Sequence, residues 1–70
     1  MMPLHLAAPA TPQTVRHVGG SPEIKKHLED LGFTVGSEVT VMSSLGGNLI
    51  VRVRDSRVAI GKDLATKILV

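Results

Sequence analysis

The sequence predicts a mainly β fold, a small barrel with one α-helix inserted after the first strand and a short helical turn before the last strand. Three observations carry this expectation. Within the stretch Leu31 to Val41 a helical pattern closes on Gly32, Gly36 opens a turn, and Val39 and Val41 begin to alternate with Glu38, Thr40 and Met42 as a half-buried strand does. A second alternating run sets Leu49, Val51 and Val53 against Ile50, Arg52 and Arg54. A third sets Val58 and Ile60 against Arg57 and Ala59. A chain of 70 residues makes a single domain. At that size about 60% of the unfolded surface is buried, which leaves little room for a deep catalytic cleft.

Taken in order, residues 1–12 hold three of the four prolines and resist regular structure. They are expected either to fray as a flexible segment or to dock on the barrel through Leu4 and Leu6. Thr14 to Val18 reads as a short first strand in which Val15 and Val18 fall out of strict alternation, and Gly19-Gly20 ends it. Ser21-Pro22 starts a helix, because a serine side chain accepts a hydrogen bond from an orphan N–H and the fixed φ of proline suits the first helical position. Glu23 complements the helix dipole. The helix is expected from Pro22 to about Leu31, with Ile24, Leu28 and Leu31 as one apolar stripe. Gly32 then supplies the left-handed residue past its end and brings Phe33 onto Leu28. Leu45-Gly46-Gly47-Asn48 reads as a hairpin loop and Asp55-Ser56 as a tight connection between Arg54 and Arg57. Lys62 to Lys67 reads as one helical turn with Leu64 and Ile68 facing the core, and Ile68-Leu69-Val70 as a last strand that closes the barrel.

Composition removes several function classes. The chain has no cysteine, which excludes a disulfide framework, a thiolate zinc site and a cysteine nucleophile, and fits a reducing compartment. Eight Lys and Arg against six Asp and Glu give a net charge of +2, too small for a nucleic-acid footprint by composition. Phe33 is the only aromatic residue, so the stacking platform of single-strand binders is missing. The N-terminal Met1-Met2-Pro3-Leu4-His5-Leu6-Ala7-Ala8 has no basic leading segment and no apolar run of the roughly 7 to 15 residues a secretory signal needs. Nothing approaches the roughly 18 apolar residues of a membrane span. A cytoplasmic, soluble protein is expected, with no direct membrane insertion.

Candidate chemistry is sparse. His5, His17 and His27 are the only plausible soft-metal ligands. Glu23, His27 and Asp30 fall at i, i+4 and i+7 on the polar side of the helix, where one imidazole and two carboxylates without supporting groups read as a solvated face rather than a metal site. No cofactor is expected. Gly61-Lys62 fails the phosphate-loop pattern, which needs glycine at position 56 and Ser or Thr at 63 where this chain has Ser56 and Asp63. No serine, histidine and acid stand in a recognisable nucleophile setting, so no catalytic residues are assigned.

A strand closed by Gly19-Gly20, then Leu28-Glu29-Asp30-Leu31-Gly32-Phe33, then Gly36 before Val39-Thr40-Val41, and finally Val58-Ala59-Ile60-Gly61, Ala65 and Ile68-Leu69-Val70 follow one another here. In that order, over roughly Thr14 to Val70, they resemble the FeoA family of small cytosolic SH3-like proteins associated with bacterial ferrous iron uptake. Val35 stands where the family usually has proline, and Lys25-Lys26-His27 replaces a more arginine-rich helix face. The resemblance implies an SH3-like barrel and does not imply an active site. It also implies a non-enzymatic partner of FeoB, the membrane ferrous iron transporter with a GTPase domain, whose cytosolic part it would bind and regulate or stabilise.

Among surface residues, Arg52, Arg54 and Arg57 read as a patch, with Arg52 and Arg54 alternating outward on one strand and Arg57 opening its hairpin partner. Such a patch either contacts an acidic surface or is a set of solvated residues that keep the sheet soluble. Met42 and Ile50 point outward if the valines point inward, which suggests a protein-binding surface that combines the outward arginines with exposed apolar residues near the Gly46-Gly47 loop. The helix face of Lys25 and Lys26 is the alternative surface. Two other functions compete. One is a detached SH3-like regulatory domain related to iron-dependent repressors, since one helix cannot make a helix-turn-helix. The other is a nucleic-acid-binding small barrel with steep salt dependence, although no nucleic-acid partner is expected.

Overall fold

Helix α1 spans Pro22–Asp30 in the computed structural model, which describes residues 1–70. The Ser21 hydroxyl accepts from the Ile24 N–H at 3.3 Å and caps its start. At its end the Gly32 N–H donates to the Glu29 carbonyl and the Phe33 N–H to the Leu28 carbonyl, both at 2.9 Å. These are the two bonds of a Schellman motif, and Gly32 has the positive φ it needs, +108°. Phe33 and Leu28 are fully buried. Burying each contributes on the order of 1.5–3 kcal/mol, which ties the helix end to the core. Ile24 and Leu31 flank them, partly buried against the same core.

The six strands make two antiparallel sheets. β1 (Gln13–Thr14), β3 (Glu38–Leu45), β4 (Asn48–Val53) and β5 (Ser56–Gly61) form one in the order β1-β3-β4-β5, and β2 (His17–Val18) pairs with β6 (Ile68–Leu69) in the other. The single strand expected over Thr14 to Val18 is therefore two. The Val15 N–H donates to the Ser37 carbonyl and the Val15 carbonyl accepts from the Gly36 N–H, whereas the next N–H, that of Arg16, donates to the Leu69 carbonyl. The chain changes sheets between these two residues, so Val15 and Val18 can both be buried without alternating.

Val39, Val41, Leu49, Val51, Val53 and Ile60 form the inner face as their alternation predicts, with Val58 half-buried at its rim. The β3–β4 hairpin turns on Gly46 and Gly47, whose φ of +59° and +83° suit a type I′ turn. The β4–β5 hairpin pairs Val53 with Ser56, so its turn residues are Arg54 and Asp55 rather than Asp55 and Ser56. Arg54 takes φ +56° there. Between Val41 and Ser43 the β3–β4 register shifts by a bulge that leaves Met42 unpaired.

The N-terminal segment is docked. Met2 and Val70 exchange two backbone hydrogen bonds, of 2.9 and 2.8 Å, and Pro3 bridges Leu69 at the next position, where antiparallel pairing uses no N–H. A 3-10 turn over Leu4–Leu6 buries Leu4 completely but leaves Leu6 62% exposed. Farther on, the Ala10 N–H donates to the Val41 carbonyl beside the bulge at 2.8 Å. The short helix α2 (Lys62–Ala65) turns Ala65 and the following Ile68 into the core, with Leu64 only partly buried.

Candidate functional site

The outer face of the four-stranded sheet gathers most of the predicted surface residues. Thr40 lies opposite Arg52 and Arg52 opposite Arg57, so the three form a row across β3, β4 and β5. Ser43, Ile50 and Ala59 form the row beside it. Because the β4–β5 hairpin closes on a two-residue turn, Val53 and Ser56 are a hydrogen-bonded pair and Arg52 and Arg57 a non-hydrogen-bonded one. In such a pair the Cα atoms come within about 4.5 Å and the side chains stand closest. Two exposed arginines thus stem from directly opposed positions, a like-charge pairing that disfavours the sheet slightly and that a bound anion would relieve.

Next to this row is a shallow hollow of about 490 Å³, lined by Glu38, Thr40, Met42, Arg52 and Arg54 and walled by the N-terminal segment at Ala10 and Pro12. Its two arginines outnumber its one carboxylate. Met42, set off the ladder by the bulge, is 37% exposed and supplies the apolar floor.

The predicted residues divide as follows. Arg52, Arg57 and Met42 share the outer face. Arg54 does not continue the strand row, because it sits in the turn with a left-handed backbone, yet it stays on the rim of the hollow. Ile50 is half-buried rather than exposed, since β4 is a central strand and its side chains are shielded by rows on both sides. Lys25 and Lys26 are exposed on α1, outside the sheet. The Gly46-Gly47 loop lies at the opposite end of β4 from Arg52, about 16 Å away at strand rise, so loop and arginines are not one patch.

Leu45, 83% exposed beside that loop, was not anticipated as a surface residue. Counting by twos from Val39 and Val41 places it inside, but the bulge after Val41 reverses the phase and pairs it with Asn48 on the outer side. No local residue announces that bulge. Val35, 68% exposed, was likewise missed.

A second hollow of about 220 Å³ lies at the barrel end between His5, Ser44, Gly47, Leu49 and Lys62. The His5 Nδ1 is buried with no hydrogen-bond partner. No group of three or more His, Cys, Asp or Glu side chains is close enough to hold a metal ion, and Glu23, His27 and Asp30 are all exposed along α1. No helix is long and apolar enough to cross a membrane.

Comparison with known proteins agrees with this geometry. The family model described as the FeoA domain matches residues 2–70. No curated protein matches. Among solved structures, an iron uptake regulatory protein (FeoA) shares 31% identity with a TM-score of 0.87, over 96% of this chain and 89% of its own. FeoA of Stenotrophomonas maltophilia, solved with zinc, described as a procaryotic SH3 domain protein and put forward as a bacterial ferrous iron transport activating factor, shares 28% identity with a TM-score of 0.83, over 99% and 88% of the two chains. A manganese-dependent transcriptional repressor, 20% identical with a TM-score of 0.81, has the same fold over 93% of this chain and 38% of its own. The SH3-like barrel, the helix closed by Gly32 and the family match along nearly the whole chain agree: this protein belongs to the FeoA family.

Proposed function

We propose that this chain is a non-enzymatic, cytosolic accessory protein of bacterial ferrous iron transport that binds the cytosolic part of a FeoB-type transporter and regulates or stabilises it. Family membership supports the transport context, and two relatives are described as a regulatory and an activating protein. The observation that carries the binding mode is the directly opposed pair Arg52 and Arg57 beside the exposed Met42. Unpaired like charges next to an apolar side chain suit a contact with an acidic surface, in which the charges steer association and the apolar part supplies affinity.

The test is a pull-down of the cytosolic domain of the transporter by the wild type and by Arg52→Glu/Arg57→Glu. Both positions are exposed and the double reversal keeps their like-charge relation, so the melting midpoint should stay close to that of the wild type. Retention of the transporter domain should fall. A double mutant that retains the domain as well as the wild type moves the interface to the Lys25 and Lys26 face. A wild type that retains nothing removes the transporter reading in favour of a detached regulatory domain.

A further inference from the structure

Strand β5 is an edge of the four-stranded sheet, hydrogen-bonded to β4 alone. None of the backbone hydrogen bonds made outside the helices and ladders involves residues 56–61. The register decides which groups are left over. With Val53 and Ser56 as the hydrogen-bonded pair at the hairpin turn, Ser56, Val58 and Ile60 direct their N–H and C=O groups to β4, while Arg57 and Ala59 direct theirs away from the sheet. Arg57 and Ala59 are both exposed. Edge strands in soluble proteins are commonly blunted by shortness, a charged side chain, a proline, a bulge, an inward charge or a covering segment. β5 is six residues long, has no proline and keeps an unbroken register with β4; its one charged residue, Arg57, points outward and guards the edge against basic segments but not against acidic ones. Arg52 and Arg54 add positive charge on one side of it and Lys62 follows at its end.

We infer that the β5 edge accepts an extended acidic segment of the partner as a fifth strand, hydrogen-bonded to the main chain of Arg57 and Ala59, with its carboxylates on Arg52 and Arg57. The inference rests on the transporter-binding reading above and specifies how that contact is made. Charge chooses the occupant: a second copy of this chain would bring another arginine-flanked edge against the first, whereas an acidic strand relieves the Arg52 and Arg57 pair.

The experiment adds the cytosolic domain of a FeoB-type transporter to the full chain and follows hydrogen exchange at each amide. The Arg57 and Ala59 amides should slow by about tenfold or more in the complex, while Val58 and Ile60, already bonded to β4, should change little. Ala59→Pro removes only an outward N–H at an edge position, where proline is tolerated. It should keep the melting midpoint and lose about tenfold in affinity. Binding without added protection at Arg57 and Ala59 overturns the added strand and leaves the transporter reading standing; no binding overturns both. Protection of the same two amides that grows with the concentration of the chain alone makes a second copy the occupant and also overturns the inference. Should Ala59→Pro fail to fold, exchange in the wild type decides the matter by itself.

Discussion

Gly32 is the residue on which the helix, the turn and the sheet meet. Its φ of +108° disfavours any side chain, and a Cβ there would lie 2.7 Å from the Val53 Cγ1, so strain and overpacking act together. Gly32→Val should lose about 2 kcal/mol or more in a denaturant melt; an unchanged midpoint would mean that neither constraint operates. Val35 is the opposite case. Ser37 N–H donates to the Thr34 carbonyl at 3.0 Å and Gly36 has φ +93°, which makes Thr34 to Ser37 a type II turn with Val35 at the position that proline favours. The Val35 N–H makes no backbone hydrogen bond and the side chain is exposed. Val35→Pro should therefore raise stability by about 0.4–1 kcal/mol through the unfolded state. A lowered midpoint would contradict the turn assignment.

At the scale of elements, α1 was legible from end to end because its signals are local: Ser21, Pro22 and Gly32 each act within one turn of the chain. The hairpin around Gly46 and Gly47 was legible for the same reason. The division of Thr14 to Val18 was not, because it depends on Ser37 and Leu69, residues distant in sequence that capture Val15 and Arg16 into different sheets. Nor was the Met42 bulge, which appears only in the register of β3 against β4, with the Ala10 N–H bound to the Val41 carbonyl beside it. The exposed face of α1 yields its own prediction. Glu23, His27 and Asp30 are not gathered into a metal-holding group, so titration with zinc, or with ferrous iron under anaerobic conditions, should show no stoichiometric site tighter than about micromolar. Stoichiometric tight binding that disappears in His27→Ala would contradict this.

For the whole molecule, the core is fifteen buried apolar residues, and the charged side chains all lie on the surface. The arginines of that surface were legible as alternation, and their pairing was visible only once the register set Arg52 against Arg57. The apolar share of the patch was legible at Met42, whereas Ile50 is more shielded than alternation suggests and the Gly46-Gly47 loop lies too far along β4 to join it. The outer sheet face is thus the expected contact, with α1 as its rival. The measurement that separates them is a footprint of amide chemical-shift changes in the labelled chain when the cytosolic domain of the transporter is added. Met42, Arg52, Arg57 and Ala59 should show the largest changes, with Lys25 and Lys26 close to their free positions. Changes concentrated on Lys25 and Lys26, with the outer face of the sheet unmoved, would contradict the assignment of this face as the binding surface.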